Sequence, residues 1–107
     1  MIDIERIKPE IVDRLKALKP DKIILFGSYA YGTPNEESDI DLFLLKNDLK
    51  PEKSREYEIK AHKLLRDLIR RYKIGFDILS APSSYLKESE DYFYRVDILQ
   101  NGKVIYE

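Results

Sequence analysis

The sequence predicts a mixed α/β (α+β) domain: one small mixed β-sheet with helices packed on it. Short apolar runs bounded by turn residues supply the strands, and apolar residues at three- and four-residue spacing supply the helices. The chain has 107 residues with no repeat, low-complexity tract or interdomain linker, so residues 1–107 are read as a single domain.

Taken in order, Ile4, Ile7, Ile11, Leu15 and Leu18 recur at helical spacing. They predict an amphipathic helix with Pro9 near its start, ending before Pro20-Asp21. Lys22-Ile23-Ile24-Leu25-Phe26 is a continuous apolar run, the pattern of a buried strand, and it stops at Gly27-Ser28. Ser28 is an expected N-cap for a short helical turn through Tyr29-Ala30-Tyr31, closed by Gly32. Ser38 to Leu45 forms the second strand, and the polar stretch Asn47 to Lys53, which contains Pro51, a loop. From Ser54 to Tyr72 a long helix is expected, with Ala61, Leu64, Leu65, Leu68, Ile69 and Tyr72 on one face. A strand from Ile74 to Ser80 follows, stopped by Pro82. Ser84 to Glu88 reads as a helical turn, Asp91 to Gln100 as a helix with Phe93, Val96 and Leu99 or Ile98 inward, and Lys103 to Tyr106 as a short last strand.

Three aspartates break the apolar pattern. Asp39 and Asp41 lie two apart in a strand-like run, so their side chains share a face, and Asp77 interrupts Ile74-Gly75-Phe76-Asp77-Ile78-Leu79. Burying ionised carboxylates without partners is costly, and a bound cation is the natural compensation. With no cysteine and one histidine, any metal site must be built from oxygen, which suits magnesium or manganese. Ahead of the acids, Gly27 permits close approach of a ligand, and the N–H groups opening the helical turn suit an anion. A phosphate chain chelated to a divalent metal satisfies both halves, which points to a metal-bound nucleoside triphosphate.

Gly27-Ser28, ten residues, Asp39-x-Asp41, then Asp77 on a later strand resembles the active-site pattern of the DNA polymerase beta nucleotidyltransferase superfamily. The run from Phe26 to Thr33 and from Ser38 to Leu42 is similar to its smallest prokaryotic members, the minimal nucleotidyltransferases. The similarity extends from about Ile11 to the closing segment Asn101 to Glu107. That resemblance implies two Mg2+ ions, roughly 3.5–4 Å apart, clamping the attacking and leaving oxygens of an in-line displacement. It implies that Asp39 and Asp41 hold both ions. Asp77 ligates the second and accepts the acceptor's hydroxyl proton, and Gly27 and Ser28 bind the terminal phosphates. It further implies ATP as substrate and a HEPN-family toxin as partner, with AMP transferred to a tyrosine of that toxin and this chain as the antitoxin. Family members that carry Arg near position 29 or 31 differ from this chain, which has Tyr29 and Tyr31 there.

Each feature also has a plainer reading. Glu36 and Glu37 are expected to be solvated loop residues and His62 a surface or helix-packing histidine rather than a catalytic one. Lys60, Lys63, Arg66, Arg70, Arg71 and Lys73 are read as a solvated helix face, because Glu56, Glu58 and Asp67 are interspersed. Tyr29 and Tyr31 are placed to flank the nucleotide, although half-buried packing accounts for most tyrosines. Two other functions stay open: a non-catalytic antitoxin that occludes its partner, and a homodimer acting on a small hydroxylated molecule. Net charge is −1, which leaves no broad field for direct nucleic-acid binding. No stretch has the length of a membrane span and the N-terminus lacks a signal-peptide core, so a cytoplasmic protein is expected.

Overall fold

The computed structural model describes residues 2–82, 84, 98 and 100–107. Helix α1 spans Ile4–Leu15, and the Asp3 side chain accepts the Glu5 N–H at 3.1 Å to open it. Pro9 sits well inside the helix rather than near its start, on an exposed position. A 3-10 turn, Lys16–Leu18, carries the chain to Lys19, whose φ of 55° swings it into Pro20. Strand β1 is Lys22–Phe26, the short helix α2 is Ser28–Tyr31, and strand β2 is Ile40–Leu45. Pro51–Lys53 forms a 3-10 turn inside the segment expected to be an irregular loop.

The long helix expected over 54–72 is interrupted. Helix α3 is Ser54–Leu64 and helix α4 is Arg66–Tyr72, with Leu65 between them at φ −92°, ψ 0°. No glycine or proline marks the break, and the Leu65 N–H still reaches the Ala61 and His62 carbonyls at 3.1 and 3.2 Å. The two helices therefore form one bent arm. Lys73 closes it in the left-handed region at φ 52°. Strand β3 is Phe76–Ala81 and strand β4 Lys103–Tyr106. The helices expected over Ser84–Glu88 and Asp91–Gln100, with Tyr85, Phe93, Val96 and Leu99, fall largely outside the described residues; Ile98, which is described, is buried.

The four strands run in the order β3-β2-β1-β4. β1 pairs antiparallel with β2 and β4, and β2 pairs parallel with β3 through the α3–α4 arm, so the sheet is mixed as predicted. Strand alternation divides its residues between two faces. Ile23, Leu25, Ile40, Leu42, Leu44, Phe76 and Ile78 join Ile7, Ile11 and Leu15 of α1 and Tyr57, Ala61, Leu65 and Leu68 of the arm in one core. Ile24, Phe26, Phe43, Leu45 and Ala81 form a smaller cluster on the opposite face with Ile98. Each large aliphatic side chain of the helical core, fully buried, contributes about 1.5–3 kcal/mol.

Across the helical layer, α1 is tied to α4 by polar contacts. The Arg14 guanidinium holds Asp67 by two nitrogens, at 3.1 and 2.6 Å, and Arg71 meets Glu10 at 2.7 Å. The Tyr72 hydroxyl donates to the same Glu10 carboxylate at 2.5 Å. These bonds hold the Asp67, Glu10 and Glu5 carboxyls below the ordinary carboxylate range, the last through Lys8.

Candidate active site

At the end of β1 the chain turns sharply into α2. Gly27, not Ser28, is the N-cap, at φ 75° and ψ −162°, a conformation that side chains oppose. Its carbonyl accepts the Ala30 and Tyr31 N–H groups at 3.0 and 3.1 Å, while Ser28 is the first helical residue. A second reason for glycine lies across the strands. A Cβ at Gly27 would come within 2.0 Å of Asp41 Oδ2, so the carboxylate rests against the bare Cα.

Asp41 is opposite Phe26 on one side and Asp77 on the other. Parallel pairing of β2 with β3 places the two aspartates in register and on the face opposite the helices. Their neighbours Ile40, Leu42, Phe76 and Ile78 point into the helical core. Asp41 is half-buried and Asp77 exposed. The Asp41 carboxyl is pushed up to about 6, first by burial, then by the charge of Asp77, the hydrogen bond shared with Asp77, and the charge of Asp39.

Asp39 stands one residue before β2, and it too is exposed. Asp41 and Asp77 thus lie within strands, as expected, and Asp39 just outside one, with Asp41 alone partly buried. A short turn fixes Asp39: the Asn35 N–H donates to Ser38 Oγ at 2.9 Å, and the Ser38 N–H to the Asn35 carbonyl at 3.1 Å. The Ile40 N–H then donates to the Gly75 carbonyl at 3.0 Å. That bond brings the Asp39 carboxylate against Gly75, where a Cβ would lie 2.6 Å from Oδ1. Gly75 was not singled out in the sequence; its signal was a glycine directly ahead of an aspartate-bearing strand. Asp39 also lines a cavity of about 400 Å³ with Tyr29, Ser38, Tyr72, Lys73 and Gly75.

Among the described residues, no three acidic or histidine side chains stand close enough together to hold a metal ion as they are placed. Asp41 and Asp77 meet, and Asp39 lies beside them against Gly75. The donor chemistry nonetheless fits a hard divalent cation. The set is all oxygen, and Asp41, whose pKa is raised first by burial and then by the charge of Asp77, is a carboxylate that a cation would help keep ionised. Tyr29 is buried in the helical core and Tyr31 is 43% exposed, so of the two tyrosines flanking the turn one is a packing residue. His62 is exposed, as expected.

Comparison with known proteins gives this arrangement a context. The family profile described as "Nucleotidyltransferase domain" matches residues 4–105. Three proteins of Methanocaldococcus jannaschii, each named as a candidate protein adenylyltransferase, are similar in sequence. One is 36% identical over 98 residues, covering 92% of this chain and 89% of the relative. A second is 30% identical over 105 residues, covering 95% and 97%. The third is 37% identical over 93 residues, and the match spans 79% of this chain and 57% of that longer protein. Among solved structures, a toxin-antitoxin crystallised with AMP-PNP superposes with a TM-score of 0.62 at 24% identity, covering 92% of this chain and 72% of the other. A mutant of the toxin-antitoxin MntA-HpeT gives 0.61 at 20% identity, covering 92% and 71%.

Proposed function

From the premise that the chain belongs to the nucleotidyltransferase domain family and is a nucleotidyltransferase, we propose that it transfers AMP from ATP to a hydroxyl of a partner protein. The acceptor we propose is a tyrosine of a HEPN-family toxin, which makes this chain the antitoxin. The observation that carries the site is the in-register pairing of Asp41 with Asp77 beside a glycine turn whose bare Cα the Asp41 carboxylate requires. The protein acceptor is supported by the relatives named as candidate protein adenylyltransferases, and the toxin by the fold shared with toxin-antitoxin structures.

Asp39, Asp41 and Asp77 are the residues that would hold magnesium. When bound, such ions neutralise the triphosphate and lower the pKa of the acceptor hydroxyl. The chain's own contribution is positional. The turn at Gly27 and Ser28 offers backbone N–H groups to phosphate oxygens, and Gly27 and Gly75 let the carboxylates sit close to the backbone. The acceptor oxygen attacks the α-phosphorus as the bond to the β-phosphate oxygen breaks. Pyrophosphate leaves, and Asp77, exposed at the rim, takes the hydroxyl proton. Asp77→Asn should therefore reduce turnover more than ATP binding, and an unchanged rate would remove Asp77 from this role.

The test is incubation with Mg2+ and labelled ATP, with and without the protein encoded beside this one, followed by intact-mass analysis of both. An AMP adduct on the neighbour, absent with Asp39→Asn, is the expected result. A stable complex without an adduct, formed equally by the variant, would instead identify a domain that silences its partner by covering it.

A further inference from the structure

The solvent side of the α3–α4 arm is a single-sign ridge. At 3.6 residues per turn, Arg55, Ile59, His62, Arg66, Arg70 and Lys73 fall within one arc of about 80°. All six are exposed. The arc lies away from the one carrying the buried Tyr57, Ala61, Leu65 and Leu68. The bend at Leu65 leaves it continuous, because hydrogen bonds from Leu65 to Ala61 and from Ile69 to Leu65 bridge the break.

The basic residues of the arm are solvated, as expected, but the acids interspersed with them are turned to other partners. Glu58 accepts a hydrogen bond from Ser80 Oγ at 2.7 Å, and Asp67 is held by Arg14. Glu56 faces Lys53 and Lys60 at 3.7 and 3.9 Å. Arg55, Arg66, Arg70 and Lys73 have no side-chain partner among the described residues. The ridge is about 27 Å long. Its Lys73 end lines the same cavity as Asp39, where Glu36 and Glu37 also stand, so the basic surface ends at the cavity mouth.

Building on the reading that the acceptor is a protein, we infer that this ridge docks an acidic segment of the acceptor and leads it to the Asp39 cavity. Charge complementarity selects the occupant. A helix or extended segment bearing Asp and Glu along one side can meet four cations in single file, and Ile59, 46% exposed, offers an apolar contact midway. Nucleic acid fits less well. The ridge has no aromatic residue for base stacking, and Glu56 and Asp67 border it on one side.

The probe is a fluorescently labelled synthetic peptide rich in Glu and Asp around one tyrosine, long enough to span the ridge, with a Gln/Asn version as control. Anisotropy is measured at two salt concentrations against the full chain and its R66E/R70E variant. AMP transfer to both peptides is followed in parallel. The inference expects the acidic peptide to bind at least about tenfold more tightly than its control, with the margin lost in the variant and reduced by salt. ATP affinity should be unchanged in the variant. Equal binding of the two peptides, or binding that survives the charge reversal, would overturn it. So would tighter capture of a single-stranded RNA of matching length, or self-association that the variant abolishes. Binding as expected with no transfer to any peptide would uphold the ridge and count against the proposed transferase, so the two failures are separable.

Discussion

On one side of the sheet, Ile23, Leu25, Leu42 and Leu44 lie under α1 and the α3–α4 arm in one buried apolar core. On the other, the same strands present Phe26, Asp41 and Asp77, and the carboxylates gather at the end where β1 turns into α2. Both faces use the same alternation and the same register, yet the second, which also packs Ile24, Phe43, Leu45 and Ala81 around Ile98, gives up stability where its carboxylates cluster. The difference separates apolar positions that pack from carboxylate positions that do not. It follows that substitutions at the two kinds of position should have opposite signatures.

The sharpest contrast comes from Asp41→Asn. AMP transfer should fall by about a thousandfold or more, in line with removing a main electrostatic element of a site. The thermal midpoint without metal should hold or rise at pH 7, since relieving the carboxylate cluster favours the fold. Unfolding of this variant would show that the acid is structural and erase the distinction. On the opposite face, Leu65→Ala should cost about 2–5 kcal/mol in denaturant titrations. Turnover per folded molecule should stay near that of the parent; a selective loss of turnover would mean the arm does more than pack.

Gly27→Ala probes the seam between the two regions. At φ 75° and ψ −162° the backbone opposes any side chain by about 1–3 kcal/mol, and the new methyl would displace the Asp41 carboxylate. Both stability and transfer should drop, the latter by about tenfold or more. Gly32→Ala makes a control: its φ is also positive, 77°, but open space surrounds it, so stability should suffer while transfer is spared. Equal loss of transfer in the two variants would undo the link between Gly27 and Asp41.

The smallest effect is on pH dependence. Asp41 keeps its proton up to about pH 6 in the folded chain but to about 3.8 when unfolded. The native state therefore binds more protons between these values, and metal-free stability should decline as pH rises through that window. After allowance for solvent screening the decline is about 1 kcal/mol. It should vanish in Asp41→Asn and flatten in excess Mg2+, whose affinity should rise over the same window. A flat profile for the parent protein would count against the cluster.

Much of this organisation was legible in the chain. Carboxylates interrupting the apolar runs marked Asp41 and Asp77 as exceptions to the core pattern, and all four strands appeared close to where their apolar runs lie. What escaped depends on contacts between distant segments. The pairing of Asp41 with Asp77 is a register, set by how β2 and β3 slide together, and local sequence carries no direct record of it. Gly75 acquires its role only because Asp39 is folded against it. The bend at Leu65 has no breaker residue. The acids interspersed along the arm were visible, but the pairing of Asp67 with Arg14 and of Glu58 with Ser80 was not.

Because β2 and β3 are joined in parallel across an entire helical arm, the two central carboxylates cannot meet early in folding. Local turns and helices can form within microseconds, whereas a parallel pairing must first close a long loop against chain entropy. In a refolding experiment, helical circular dichroism should recover before the pH-sensitive behaviour of Asp41 and before any transfer activity. Activity is thus a late-arriving report that the whole chain has found its place.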